Sequence, residues 1–169
     1  MVSRVIPVDP FDLVIFGGTG DLARRKILPA LFRRFCDGQM PREARIIGAA
    51  RTRQSAQDWA AWVGEALEEF VPERLRTAEH VVEFLGRLDY LAVDAKGDDG
   101  WSDLCDRMRA DAVQAFYFSV APSLFGDLAE RLHQFGIARP DARIVVEKPF
   151  GNDLASAKAL NRTLSEYFD

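Results

Sequence analysis

The chain has 169 residues, 48% of them hydrophobic and 28% charged, which suits one soluble globular domain with its own core and excludes disorder or a fibrous repeat. A formal charge of −4 excludes a general nucleic-acid or anionic-membrane surface, because both need a basic excess. Any anion site must therefore be local.

Five apolar runs follow in chain order: DLVIFGG, ARIIGAAR, LDYLAVDA, VQAFYFSVAP and ARIVVEKPFG. Their near-continuous hydrophobicity suits strands buried on both faces, as in a parallel sheet. Polar, helix-patterned segments separate them. After the first run comes a helical pattern interrupted by Pro29, which predicts a break or kink near Leu28. SAQDWAAWVGEALEEF carries Trp59, Trp62, Val63, Ala66, Leu67 and Phe70 at helical spacing, with Ser55 placed as its N-cap. Further helices are expected near 101–110, 123–135 and 154–168, the last capped by Asn152 or Asp153. Strand–helix alternation predicts an α/β fold, a Rossmann-like doubly wound, mainly parallel sheet with helices on both faces and ligands beyond the carboxyl ends of its strands. Residues 1–11 read as an N-terminal extension and 12–169 as one nucleotide-binding domain.

Cys36 and Cys105 have no CxxC or Cys/His spacing around them, which speaks against zinc and for reduced thiols. No apolar run approaches the roughly 20 residues that span a bilayer, and the N-terminus is too short in its apolar part for a signal peptide. A cytoplasmic protein without membrane or nucleic-acid partners is expected.

The chemistry concentrates where the first strand ends. Gly18, Gly20 and Ala23 read as G-x-G-x-x-A, with Gly17 also available for the tight turn. Glycine there lets a pyrophosphate approach the backbone, and the following helix aims free N–H groups at it. At the end of the second strand, where a carboxylate would accept from the ribose of NAD, the sequence has Arg51, Thr52 and Arg53. A guanidinium suits a 2′-phosphate, so NADP is the expected coenzyme. The nearest acid, Asp37, precedes Gly38 in the loop before that strand and is badly placed for the ribose. Of 22 cationic side chains only four are lysines, and two of them stand in distinctive stretches: Lys26 in GDLARRK and Lys148 in VEKPFG. Lys148 precedes Pro149 at a strand end, where a turn can aim a side chain into a cleft.

Three stretches in order, FGGTGDLARRKILPALF at 16–32, FYFSVAPSLF at 116–125 and RIVVEKPFGNDLASAKALN at 143–161, resemble the N-terminal coenzyme domain of the glucose-6-phosphate dehydrogenase family. The resemblance runs from about Asp12 to Asn161 and is least distinctive over 72–112. It implies oxidation of glucose 6-phosphate at C1 to a lactone with hydride transfer to NADP, the entry to the oxidative pentose phosphate pathway. It places Gly17, Gly18, Thr19, Gly20, Asp21, Leu22 and Ala23 around the dinucleotide, with Thr19 and Arg51 near the 2′-phosphate and Thr52 beside them. It puts Val120, Ala121 and Pro122 against the nicotinamide, Lys26 between coenzyme and sugar phosphate, and Lys148 and Pro149 at the border of coenzyme and substrate, with Lys148 donating to a sugar oxygen.

The family's R-I-D-H-Y-L-G-K phosphate clamp and its later lobe, with a His base paired to an Asp, have no counterpart in these 169 residues. The family's dimer surface would also lie mainly in that lobe. His80 and His133 fall outside every motif, so the chain contains no expected catalytic residue and should be inactive alone. A stand-alone NADP-binding module is the alternative, since the chain ends after a helical pattern. A sugar or inositol dehydrogenase with an E-K-P strand end is a further one, against which GDLARRK and FSVAPSLF speak.

Overall fold

The run FDLVIF forms β1 (Phe11–Phe16), whose residues from Asp12 onward are all buried, as expected of a central strand with helices above and below. The computed structural model of the chain describes residues 10–41 and 43–146. Within them β2 (Arg45–Ala50), β3 (Leu88–Ala92), β4 (Val113–Phe118) and β5 (Arg143–Val146) join β1 in one sheet of order β3-β2-β1-β4-β5. All four pairings are parallel. The chain steps outward from β1 through β2 to β3, then returns to β1's other side for β4. That reversal is the switch point where such sheets bind ligands.

The alternation of side chains along the strands gives two cores. Leu13, Ile15 and Ile46 face α1 (Leu28–Cys36), α2 (Ala56–Phe70) and α3 (Ala78–Leu85), burying Phe32, Trp59, Val63, Leu67 and Phe84. Val14, Phe16, Ile47, Ala49, Phe116 and Phe118 face the other way. They meet Trp101 and Leu104 of α4 (Trp101–Arg107) and Phe125, Leu128 and Leu132 of α5 (Phe125–Gln134). The doubly wound expectation is met. The helix expected near 101–110 stops at Arg107, and the one near 123–135 begins as a 3-10 turn at Pro122–Leu124. Ser55 caps α2 as anticipated, its hydroxyl accepting from the Asp58 N–H at 3.0 Å. The helix expected at 154–168 lies outside the described residues.

Pro29 has a different effect from the one its position suggests. The backbone is helical without a break from Asp21 to Cys36, but Ala23–Ile27 forms a π turn in which the Leu28 N–H bonds to the Ala23 carbonyl. α1 is counted from Leu28, but the π turn runs into it without a gap, so the missing N–H of Pro29 leaves a carbonyl of that turn without its helical donor. The wider turn absorbs what a regular helix would show as a clash with the carbonyl four residues back.

Candidate coenzyme site

Gly17 leaves β1 with φ at +82°, a conformation that disfavours any side chain. A Cβ there would lie 2.8 Å from the Ser119 carbonyl carbon and 2.9 Å from Val120 Cγ1 at the end of β4. Gly18 passes β2 so closely that its Cβ would be 3.1 Å from the Gly48 Cα. The turn is anchored on three sides. The Gly17 N–H donates to Ala49 O at 2.8 Å and the Ser119 N–H to Phe16 O at 2.9 Å. From α2, the Trp59 indole N–H donates to Gly18 O at 3.0 Å. That last bond depends on Gly48, where a Cβ would be 2.5 Å from the Trp59 ring.

Gly20 differs from its neighbours. Its N–H bonds Gly17 O at 3.0 Å, and a Cβ would meet only that oxygen, at 3.2 Å, before reaching open space. The Arg24 N–H, bonded to Gly20 O at 3.1 Å, makes the first helical bond, so the N–H groups of Asp21, Leu22 and Ala23 precede it. Fully buried Ala23 lets this helix start lie close on the sheet. A backbone open at Gly20 and lined with donors is what a pyrophosphate requires.

Beyond β2, Arg51, Thr52 and Arg53 are all exposed. Arg51 has no hydrogen bond or ion pair with any described residue. With Arg53, Gln54 and Tyr90 it lines a cleft of about 660 Å³ between the ends of β2 and β3, whose lining also includes Asp94, Asp99 and Asp103. Tyr90, only 4% exposed, donates its hydroxyl to the Thr52 carbonyl, and its ring lies 5.9 Å from that of Trp59. Burial pushes the Tyr90 hydroxyl up from its ordinary value against the opposing pull of a Gln54 hydrogen bond, which keeps it a donor. Asp37 sits at the C-terminal end of α1, at the opposite end of the sheet from this cleft, as its place in the sequence suggested.

The cations after the glycine turn separate into two groups. Arg24 pairs with Glu69 and lies 5.1 Å from the Phe70 ring centre, while Arg25 pairs with Asp21 at 2.8 Å and lies 5.9 Å from the same ring. Both are thus occupied, and Asp21 with them. Lys26 is exposed and has no partner among the described residues. At the end of β4, Val120 packs beside Gly17, and Ala121 and Pro122 follow it to the surface. The expected residues from Gly17 to Ala23, Arg51, Thr52 and Val120 to Pro122 thus all stand at the carboxyl ends of β1, β2 and β4. Lys148 and Pro149 lie outside the described residues. His80 stacks edge-on against Phe35 at 6.0 Å, and His133 is exposed on α5, so neither enters the site. Among the described residues no helix is long and apolar enough to cross a membrane, and no cluster of His, Cys, Asp and Glu could hold a metal.

A family model described as the NAD binding domain of glucose-6-phosphate dehydrogenase matches residues 14–169. The chain belongs to that family. This glucose-6-phosphate dehydrogenase coenzyme domain is 44% identical over 170 residues to the glucose-6-phosphate 1-dehydrogenase of Rhizobium meliloti, covering 99% of this chain and 35% of that protein. It is 42% identical over 165 residues to that of Gluconobacter oxydans, with 95% and 34% covered. Among solved structures it superposes on the Mycobacterium avium enzyme with a TM-score of 0.86 at 32% identity, over 95% of this chain and 34% of that one. A glucose-6-phosphate dehydrogenase in complex with its substrate glucose 6-phosphate gives 0.83 at 30% identity, over 100% and 36%. The chain thus spans about a third of the length of the relatives it matches. As a member of this family it is a nicotinamide-coenzyme-binding domain.

Sequence reasoning missed Trp59 and Tyr90, treating the first as core and leaving the second inside a strand. The usable signal was Gly48, a glycine in the interior of a buried strand, which marks a place where another group approaches the backbone.

Proposed function

We propose that the domain binds NADP and presents it to glucose 6-phosphate within a cytoplasmic dehydrogenase that oxidises the sugar at C1 to the lactone, the entry step of the oxidative pentose phosphate pathway. The observation that carries the choice of NADP is Arg51, a guanidinium without a partner among the described residues, at the end of β2 beside the glycine turn. When bound, the nicotinamide supplies the hydride acceptor. The chain's own residues would do the rest. The open backbone at Gly20 and the N–H groups ahead of Arg24 would hold the pyrophosphate, and Thr19 and Thr52 would stand near the 2′-phosphate. Arg51 would meet the 2′-phosphate through paired charge-assisted bonds. Val120, Ala121 and Pro122 would border the nicotinamide, and Lys26, already free of partners among the described residues, would face the substrate phosphate. Lys148 and Pro149 take their place from the sequence motif.

Neither histidine stands where it could accept the proton of a C1 hydroxyl, so these 169 residues are expected to bind coenzyme without turnover. Calorimetric titration of the chain with NADP and with NAD tests the reading. Saturable binding that favours NADP is expected. Binding of neither, or a preference for NAD, would overturn it.

A further inference from the structure

We infer that Tyr90 is a positioning residue for coenzyme selectivity, its hydroxyl fixing the Arg51–Gln54 loop through the Thr52 carbonyl so that Arg51 is presented to a 2′-phosphate. The inference rests on the reading of Arg51 given above. It starts from a difficulty: an exposed arginine on a connecting loop loses much of its binding energy to ordering unless the backbone beneath it is fixed. The two ends of this loop are fixed by regular structure. Ala50 O accepts from the Val93 N–H at 2.8 Å, and Ser55 begins α2 by capping it. Between them Thr52 and Arg53 are exposed, and the described hold on their backbone is the Tyr90 hydroxyl. Ala50 O, at 3.5 Å from that hydroxyl, is at the limit of hydrogen bonding and leaves Thr52 O as its acceptor.

Tyr90 is well placed to be stiff. It stands opposite Gly48 in the β2–β3 register, is nearly fully buried and packs on Trp59, which itself donates to Gly18 O. One aromatic pair therefore supports both ends of the coenzyme site, the indole under the pyrophosphate turn and the phenol under the loop of Arg51. The ring alone would satisfy the core, since a phenylalanine fills the same volume. The hydroxyl is the part that reaches the loop.

The test is NADP and NAD binding by the wild-type chain, Tyr90→Phe, Arg51→Ala and the double variant. Losing the part-buried bond to Thr52 O, and the Gln54 bond with it, should weaken NADP about five- to tenfold in Tyr90→Phe and NAD less than about twofold. Because Tyr90 acts through Arg51, the double variant should bind NADP no more weakly than Arg51→Ala alone. Amide exchange gives a second readout, with faster exchange expected at Arg51–Gln54 in Tyr90→Phe and none of that change at Gly17–Gly20. If Arg51→Ala selectively loses NADP but Tyr90→Phe weakens both coenzymes equally or neither, the inference fails and the NADP reading stands. If Arg51→Ala itself shows no selectivity, both fall.

Discussion

Gly17 and Ser119 meet backbone to backbone at the switch point between β1 and β4, so closely that a single added carbon on Gly17 would overlap the Ser119 carbonyl. This contact joins the glycine turn to the loop that carries Val120, Ala121 and Pro122. Gly17→Ala would therefore combine a left-handed backbone, disfavoured for alanine by about 1–2 kcal/mol, with a steric collision that only movement of β4 can relieve. The expected outcome is a lowered unfolding midpoint together with loss of both NADP and NAD binding. Retention of wild-type stability would remove the claim that this contact organises the turn.

Gly20→Val separates binding from folding. The first added carbon would press on one oxygen, Gly17 O, and the rest would project into open space over the turn. Stability should therefore change by less than about 1 kcal/mol, the range of a surface substitution with mild strain, while coenzyme binding is lost because the branched side chain occupies the pyrophosphate's approach. Denaturant unfolding and calorimetry on the same protein check the two halves. Coenzyme binding at wild-type strength would show that the phosphates pass elsewhere.

Arg51→Ala should weaken NADP by about ten- to a hundredfold, the worth of a charged hydrogen-bond pair to phosphate, and leave NAD within about threefold. NAD lacks the 2′-phosphate that Arg51 would meet, which is why it should be spared. The result that decides against the 2′-phosphate role is an equal loss for both coenzymes in parallel titrations.

Much of this arrangement was legible in the chain because buried parallel strands write themselves as continuous apolar runs. FDLVIF and RIIGAA are such runs, and the glycines that follow the first can be read without a structure. Other features depend on distances along the chain that no local pattern records. The pairing of Arg24 with Glu69 spans 45 residues, and the contact of Tyr90 with Thr52 spans 38. The first needed the placement of α2 against the turn after β1, and the second the register of β2 against β3. Pro29 was read correctly as an irregularity, but its form depended on how the preceding turn could widen. The cation cluster shows the same limit: the scarcity of lysine singles out Lys26 in the sequence, but the engagement of Arg24 and Arg25 by Glu69, Phe70 and Asp21 is visible only in the fold.

At the opposite end of the sheet from the coenzyme site, Asp12 is fully buried and shared by two guanidinium groups. Arg45 Nε donates to its Oδ1 at 3.0 Å, Arg109 Nη2 to the same oxygen at 2.7 Å, and the Arg109 N–H to Oδ2 at 2.9 Å. Burial alone would raise its pKa, but the bonds from Arg45 and Arg109 outweigh it and hold the carboxyl below the ordinary value. A group whose folded pKa is depressed contributes stability above its unfolded pKa, about 3.9 for aspartate, and loses that contribution as pH falls through the folded value. Stability should thus decline on acidification below about pH 4 as the proton breaks the shared pair. Asp12→Asn, which leaves Arg45 and Arg109 without a charged partner, should cost about 3 kcal/mol near neutral pH and remove this part of the acid dependence. Urea midpoints of the two proteins from pH 3 to 7, values set by the ordinary aspartate range, supply the check. Parallel pH curves for the wild-type and Asp12→Asn chains would mean that Asp12 is not the group being titrated.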